Sequence, residues 1–425
     1  MRAVATDLGR FEATVKSLEG IARHKKDQAV PRSDQLYYEL MHRYYQRVLQ
    51  ANKEGKFIAS YTVQVPTELF YALDLVPMFL EGVSMTIAIT QKAYEDIYSA
   101  AKSFGLTPEC CSAHRCLTGT FNLNWSPRPG VVLWSNQVCD NTAKAGDNLL
   151  HLYDVPGFFL DSPFRYGPEE MEYFAQELEE MTHFLEGLAG KKLDLGRLRE
   201  CLELSRQAVE LHKEIYSLRR ASPYPMANRK GPHCASMARL YLGAPEGVEY
   251  MKAVRDEAKE KVERGVGYLP QGERFRVIGL FTPPNYNYKI LDWMEKEHGV
   301  ALVAEPYNSH WGEFEWDLDR PFLTLARRAY NHPTCKQMQG PVEEGVVEDS
   351  VKDAVEHKAE GAIYWAHIGC RQTCATIKMV KDALAEKVGI PTLVLDIDTG
   401  DPSFVSDEEL KDKLEGFFEL LAERK

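Results

Sequence analysis

Short apolar runs alternate with amphipathic helical patterns in two stretches of this chain, and this alternation constrains its fold more than any other feature. In the first stretch the strand-like runs cover 57–61, 76–80 and 131–134. In the second stretch they cover 276–281, 300–304, 362–365 and 392–395. Strands that alternate with helices form mostly parallel sheets covered by helices. The sequence therefore predicts two α/β domains.

Two other parts of the chain show helical periodicity only. Before residue 56, side chains such as Leu36, Leu40 and Tyr44 recur at spacings of three and four, and the stretch that follows residue 167 repeats this pattern with charged outer faces. We therefore expect an α/β fold of two Rossmann-like domains with mostly parallel sheets, a helical N-terminal segment and a helical connector. The expected bounds are 1–55 for the N-terminal segment, 56–167 for the first α/β domain, 168–265 for the connector and 266–425 for the second α/β domain.

Charge and hydropathy argue against several classes of function. The chain carries 63 acidic and 51 basic residues, and its net charge of -12 repels nucleic acid and anionic membrane surfaces. The N-terminus lacks a signal-peptide pattern, and no run reaches the roughly 18 apolar residues of a membrane span. We expect a cytoplasmic protein with no nucleic-acid or membrane partner, in which clustered cysteines serve metal or redox chemistry.

Cysteines follow two of the predicted strands. Cys139 comes shortly after 131–134, and Cys370 comes after 362–365, just before a predicted helix. Ligands of parallel sheets bind at the carboxyl ends of strands, and a helix N-terminus favours the thiolate that binds iron or zinc. Cys374 lies one helical turn beyond Cys370, so both sulfurs can face one metal centre. A third group lies in the loop of the first domain and consists of Cys110, Cys111 and Cys116.

A single cysteine is more often a small buried hydrophobic residue than a metal ligand. We expect this role for Cys201 and Cys234, whereas the position of Cys335 alone does not decide between the two roles. An acidic group after the last predicted strand could bind magnesium, although an acidic turn is the more common explanation. This group consists of Asp396, Asp398 and Asp401.

Three histidines are candidate proton donors to a reduced substrate. They are His310, His332 and His367. His367 has the best position because it precedes Cys370 by three residues. A hydrogen-bonded structural histidine is the alternative for each of them.

Four motifs, taken together, resemble one known family. They are SYTVQVPTELFYALDLVP from Ser60 to Pro77, Cys111-Ser112-Ala113-His114-Arg115, Cys139-Asp140-Asn141 and Gly369-Cys370-Arg371-Gln372. In these motifs the chain is similar, over about 56–400, to the catalytic subunits of 2-hydroxyacyl-CoA dehydratases and the cluster-bearing subunits of class I benzoyl-CoA reductases. It also resembles the related double-cubane cluster proteins.

The resemblance implies a fold, a cofactor and a partner. Members of this family have two α/β domains and hold a 4Fe-4S cluster in the cleft between them, which implies Cys111, Cys139 and Cys370 as ligands here. They accept single electrons from a separate iron–sulfur activator that hydrolyses ATP, and they work under anaerobic conditions. The absence of a G-x-x-x-x-G-K-[ST] phosphate loop fits this division of labour. The expected function is therefore the electron-accepting component of an ATP-dependent, low-potential iron–sulfur reductase.

Three further cysteines bear on the type of cluster. Cys116, Cys335 and Cys374 double the expected ligand set, so we favour an 8Fe-9S double cubane, in a homodimer that reduces small molecules. The alternative within the family is a 4Fe-4S subunit of a 2-hydroxyacyl-CoA dehydratase or benzoyl-CoA reductase, paired with a related subunit and acting on an acyl-CoA. An alternative from another class is a non-catalytic zinc or thiol-switch protein.

One position departs from the family pattern. Many members carry a cysteine just before the tyrosine of the first motif, whereas Ala59 and Ser60 precede Tyr61 here, and the spacing from the tyrosine to the proline is longer. Ser60 is therefore, with His367, a candidate catalytic residue that could hydrogen-bond the cluster or the substrate. A serine that closes a strand is the alternative.

Overall fold

The computed structural model describes residues 7–425, whose backbone contacts form two compact units. Unit 1 comprises the described part of Met1–Ala208 together with Met237–Tyr250 and Glu313–Asn331. Unit 2 comprises Val209–Ser236, Met251–Gly312 and His332–Lys425. The first six residues of the predicted N-terminal segment lie outside the described residues. The four-segment division expected from the sequence stays a prediction. The two units group residues by their backbone contacts and do not show which segments fold independently.

The helices and strands alternate as the sequence pattern indicates. The first half contains α1 (Gly9–Lys26), α2 (Arg32–Lys53), β1 (Ile58–Tyr61), α3 (Thr67–Ala72), β2 (Val76–Phe79), α4 (Leu80–Gln91), α5 (Tyr94–Phe104), α6 (Ser112–Asn122), β3 (Val131–Ser135), α7 (Asp140–Leu152), β4 (Gly157–Leu160), α8 (Pro168–Ala189) and α9 (Leu195–Leu218). The second half contains α10 (Lys230–Tyr241), α11 (Pro245–Glu263), β5 (Phe275–Leu280), α12 (Lys289–His298), β6 (Val300–Ala304), α13 (Pro306–Ser309), α14 (Pro321–Tyr330), α15 (Pro333–Met338), a π-helix (Glu343–Glu348), α16 (Asp349–Glu356), β7 (Gly361–His367), α17 (Arg371–Lys387), β8 (Thr392–Ile397) and α18 (Asp407–Glu423).

Each unit contains one four-stranded sheet, and the two sheets have the same topology. The strand order is β2-β1-β3-β4 in unit 1 and β6-β5-β7-β8 in unit 2, and every strand pair is parallel. In both sheets the second strand in chain order pairs with one side of the first strand, and the third strand pairs with the other side of the first strand. This doubly wound order confirms the predicted α/β class with Rossmann-like domains.

The shared topology defines one position in each sheet where ligands bind by preference. In open α/β sheets this position lies beyond the carboxyl ends of the two strands between which the winding direction reverses. In unit 1 these strands are β1 and β3, with Tyr61 paired to Leu133. In unit 2 they are β5 and β7, with Leu280 paired to Tyr364. A ligand position is therefore expected in each unit, at the end of β3 in unit 1 and at the end of β7 in unit 2.

Each sheet has its own hydrophobic core. In unit 1, buried residues of β1 and β3 pack with α3, α8 and α14, and the buried Cys201 of α9 belongs to the same core. In unit 2, buried residues of all four strands pack with α12 and α18. Among the helices of residues 7–425, none is long and apolar enough to cross a membrane.

A buried ion pair joins three helices of unit 1. The carboxylate of Glu68, on α3, accepts hydrogen bonds from the guanidinium of Arg328 on α14 and, at 2.7 Å, from the hydroxyl of Ser205 on α9. Glu68 and Arg328 are almost completely buried. Gly243 has a φ of 87°, and a Cβ there would lie 2.8 Å from Cα of Glu68, so only glycine fits beside α3. The glutamate of the first motif therefore connects α3 with α9 and α14.

Candidate functional site

Three cysteines occupy the same kind of position, the residue just before the first turn of a helix. Cys111 precedes α6, Cys139 precedes α7 and Cys370 precedes α17. All three are partly exposed. The first backbone N–H groups of a helix point outward and carry partial positive charge, so they stabilise a thiolate at this position. These three cysteines were predicted as metal ligands, and their local environment suits that role.

Cys139 and Cys370 lie at equivalent places in the two sheets. Cys139 follows β3 and Cys370 follows β7, so each comes after the strand at which the winding direction reverses. Gly146 of α7 packs against the ring of Trp134 in β3, where a Cβ would lie 2.1 Å from the ring. This close contact between helix and strand fixes the start of α7, and with it Cys139.

The start of α17 is fixed by hydrogen bonds around Cys370. Its N–H donates to the carbonyl of His367 at 2.9 Å, and the N–H of Cys374 donates to the carbonyl of Cys370 at 3.1 Å. Burial raises the pKa of the Cys370 thiol, and the N–H groups of Thr373 and Gln372 and the Thr373 hydroxyl oppose that rise. Burial thus favours the neutral thiol, while the start of the helix favours the thiolate.

The loop that carries Cys111 is held by Arg115. The buried guanidinium of Arg115 donates to the carbonyl of Cys110 at 3.0 Å and lies 4.6 Å from the ring centre of Tyr98. The backbone N–H of Arg115 donates to the carbonyl of Cys111 at 2.9 Å. The arginine of the second motif therefore positions this loop.

The other three cysteines predicted as ligands differ in their exposure to solvent. Cys374 is exposed, and its Sγ lies 3.4 Å from the carbonyl oxygen of His367. Cys116 on α6 and Cys335 on α15 are fully buried, and burial raises the pKa of Cys116 to about 12. Gln372 donates to the carbonyl of Gln337 at 3.4 Å, which places α15 beside the first turn of α17. The structure therefore groups Cys335, Cys370 and Cys374 in one region of unit 2.

The remaining cysteines have the environments expected of structural residues. Cys201 and Cys234 are buried, and burial raises the pKa of Cys201 to about 11 and that of Cys234 to about 12. A thiol in such an environment stays protonated and unreactive.

A chain of contacts leads from Cys139 into the interior of unit 1. The Thr142 hydroxyl lies 3.3 Å from the Cys139 sulfur and 3.2 Å from Nε2 of His114. Nε2 of His114 lies in turn 3.9 Å from a carboxylate oxygen of Glu81, which also accepts from the N–H of Val63 at 3.1 Å. His114 is the third residue after Cys111, so these contacts link the two cysteine positions of this unit.

Glu81, at the end of this chain of contacts, has a perturbed acidity. Burial raises the pKa of its carboxyl to about 7, while the N–H groups of Val63 and of Glu81 itself and the nearby Arg239 oppose that rise. Near neutral pH the carboxyl can therefore both give and take a proton. The sequence pattern did not indicate Glu81, Thr142 or Arg239, because they meet only through packing. The one available signal was Thr142, three residues after Cys139 as Thr373 is after Cys370.

The two predicted catalytic residues lie at the two sheets. His367 ends β7, and its Nδ1 accepts from the N–H of Thr399 at 3.4 Å, which leaves Nε2 to carry the proton. Ser60 is fully buried in β1, and its hydroxyl has no hydrogen-bond partner among residues 7–425. Their catalytic roles stay predictions.

The other candidates take part in hydrogen bonds within unit 2. His310 bonds Asp353 at 3.0 Å, His332 accepts from the N–H of Thr334 at 3.2 Å, and Asp398 accepts from the N–H groups of Gly400 and Asp401. These contacts agree with the structural alternatives that the sequence left open for them.

The chemistry of these thiols suits an iron–sulfur cluster. Within residues 7–425, no group of three or more His, Cys, Asp or Glu side chains could hold a metal ion. Partly exposed thiols at helix N-termini provide the soft donors that iron–sulfur clusters require. The donor set therefore fits such a cluster.

Comparison with known proteins gives consistent matches. The sequence model of the family described as 2-hydroxyglutaryl-CoA dehydratase, D-component, matches residues 62–421. The alpha subunit of (R)-2-hydroxyisocaproyl-CoA dehydratase from Clostridioides difficile is 23% identical over 401 residues, which cover 91% of this chain and 95% of that protein. A subunit of benzoyl-CoA reductase from Thauera aromatica is 23% identical over 406 residues, which cover 90% and 92%. The alpha subunit of (R)-phenyllactyl-CoA dehydratase from Clostridium sporogenes is 20% identical over 388 residues, which cover 89% and 92%.

Proposed function

Because the chain belongs to the 2-hydroxyglutaryl-CoA dehydratase, D-component family, we propose that it is the electron-accepting component of an ATP-dependent, low-potential iron–sulfur reductase. The observation that carries this proposal is the placement of three partly exposed cysteines before the helices that begin with Ser112, Asp140 and Arg371. Two of these cysteines follow equivalent strands of two sheets with the same topology. Such a repeated placement supports a shared ligand role.

In this proposal Cys111, Cys139 and Cys370 hold the iron–sulfur cluster. When bound, the cluster would supply one-electron transfer at low potential to a bound substrate. The N–H groups at the three helix starts stabilise the negative charge of the thiolates. Glu81, with a pKa near 7, exchanges protons at neutral pH, and Nε2–H of His367 is a second proton source. Electron delivery and proton delivery thus fall to different residues.

We propose that the electrons come from a separate activator protein in the cytoplasm. The chain contains no phosphate-binding loop of the G-x-x-x-x-G-K-[ST] type, so ATP hydrolysis is assigned to the activator. The relatives named above are subunits of larger enzymes, which supports association with a second chain. That chain is another copy of this protein in a homodimer, or a related subunit in a heterodimer.

The finer proposal is an 8Fe-9S double cubane that reduces small molecules. Its support is that three further cysteines lie in the same regions as the three proposed ligands: Cys116 is on α6, the helix that Cys111 precedes, and Cys335 and Cys374 lie in the region of Cys370. The first set is therefore Cys111, Cys139 and Cys370, and the second set is Cys116, Cys335 and Cys374. A double cubane needs two sets of three thiolates. The second candidate is a 4Fe-4S subunit acting on an acyl-CoA, which the full burial of Cys116 and Cys335 favours.

The number of irons per chain distinguishes the two candidates. For protein made without oxygen we expect about eight irons, and about four for the triple variant Cys116→Ser, Cys335→Ser, Cys374→Ser, since each half of a double cubane depends on three thiolates. The matched control is the double variant Cys201→Ser, Cys234→Ser, which changes buried cysteines outside both sets and should keep about eight irons. Iron and sulfide analysis with electron paramagnetic resonance measures the outcome. A wild-type protein with about four irons, unchanged in the triple variant, would establish the acyl-CoA candidate instead.

A further inference from the structure

Thr142, three residues after Cys139, contacts the sulfur of that proposed cluster ligand. Thr142 Oγ1 lies 3.3 Å from the sulfur of Cys139 and 3.2 Å from Nε2 of His114. Thr142 is fully buried and His114 is nearly so. We infer that Thr142 is a positioning residue that donates a hydrogen bond to the Cys139 thiolate and thereby raises the reduction potential of the cluster. This inference rests on the proposed function.

The direction of both hydrogen bonds follows from the chemistry of the atoms. A metal-bound thiolate carries no proton and can only accept, so the single hydroxyl proton of Thr142 points at Sγ of Cys139. The oxygen of Thr142 then accepts from Nε2–H of His114. The imidazole thus holds the hydroxyl in the orientation that donates to sulfur.

The equivalent residue of unit 2 gives an internal comparison. Thr373 also stands three places after its cysteine, Cys370, on the first turn of a helix. Its hydroxyl, however, donates to the carbonyl oxygens of His367 at 3.1 Å and of Cys370 at 3.0 Å. The Thr373 hydroxyl also acts on the Cys370 thiol, but its one proton is shared with these two backbone acceptors. No backbone acceptor competes for the proton of Thr142 among the hydrogen bonds of the described residues. Of the two threonines, Thr142 has the larger influence on sulfur.

The effect on potential follows from electrostatics. Reduction adds negative charge to the cluster and its thiolates, so a donor to sulfur stabilises the reduced state more than the oxidised state. Loss of one such hydrogen bond should change the reduction equilibrium about tenfold, which is about 59 mV for a one-electron couple. The site of a very low-potential reaction thus contains one group that limits how low the potential falls.

The test is a redox titration of the cluster-containing protein, followed by electron paramagnetic resonance. Thr142→Val, which keeps the shape and removes the hydroxyl, should shift the equilibrium about tenfold toward the oxidised form. Thr142→Ser keeps the hydroxyl and should shift it less than about twofold. Thr373→Val, the matched variant of unit 2, should shift it less than Thr142→Val does. Equal potentials for wild type, Thr142→Val and Thr142→Ser would overturn the inference.

A second pair of variants covers the case in which Thr142→Val does not retain its cluster. His114→Phe removes the donor that holds Thr142 and should lower the potential, while His114→Gln keeps a donor and should restore much of the loss. No difference between these two variants and wild type would also overturn the inference. If the wild-type protein contains no iron, metal analysis shows this directly, and the proposed function fails together with the inference. Iron-containing protein with unchanged potentials refutes only the role of Thr142.

Discussion

Replacing Cys139 or Cys370 by alanine is expected to remove most of the iron and sulfide from protein made without oxygen. Each substitution deletes one thiolate from the start of a helix, α7 or α17, at equivalent ends of the two sheets. A cluster held by three thiolates loses much of its affinity when one is missing, because each thiolate binds its own iron. Iron and sulfide content per chain and the visible spectrum measure the loss.

The matched control for these variants is Cys201→Ala. Cys201 is fully buried, and it lies in the hydrophobic core of unit 1, on α9. Its replacement removes a buried sulfur and should lower stability modestly while leaving the iron content unchanged. Circular dichroism of all three variants confirms that each is folded. An equal loss of iron in the three variants would mean that these cysteines act through folding and not as ligands.

The second large effect is expected at the buried ion pair of unit 1. Glu68→Ala leaves the guanidinium of Arg328 buried without its carboxylate and deprives the hydroxyl of Ser205 of its acceptor. We expect the free energy of unfolding to fall by about 3–5 kcal/mol. The double variant Glu68→Met, Arg328→Met removes both charges and should regain most of that loss, since paired buried charges are often replaceable by apolar side chains. Urea unfolding followed by circular dichroism measures both values.

An exposed ion pair between helix α8 and the start of α14 gives the control for this prediction. Nη2 of Arg320 lies 2.7 Å from Oε1 of Glu172, and both side chains are about half exposed. Glu172→Ala should therefore change the free energy of unfolding by less than about 1 kcal/mol. If Glu68→Ala is as mild as Glu172→Ala, the glutamate of the first motif does not hold unit 1 together. A catalytic role would then become the better explanation of that residue.

Most of the strands could be predicted because they are short apolar runs buried on both faces. The strand missed by the sequence pattern is β4, which has four residues, lies at the sheet edge and is only partly buried. Its apolar run, Phe158 to Leu160, is only three residues long and follows Pro156 and Gly157, which are typical of turns. Its pairing with β3 is therefore decided by tertiary contacts. The helical character of α8, α9, α10 and α11 was also predicted correctly, because their apolar residues recur at regular helical spacing.

From the residue pattern alone, only candidates close in sequence to a strand end could be singled out, whereas Cys111 was predicted through the family resemblance. Cys139 and Cys370 fall in this class, and the structure places both directly before helices. Glu81 could not be found in this way, because its raised pKa comes from burial, and its neighbour His114 is distant in the chain. The contact between Thr142 and His114 depends on how α6 and α7 pack. Propensity and periodicity carry no information about such contacts.

The identity of the bound metal tests the central claim most directly. Protein purified without oxygen should be brown, with a broad visible absorption that bleaches on reduction, and should contain iron and acid-labile sulfide in nearly equal amounts. Cys111, Cys139 and Cys370 would then act as cluster ligands, as their helix-start positions suggest. A colourless protein that contains zinc without sulfide would contradict the account and leave a zinc or thiol-switch protein in its place.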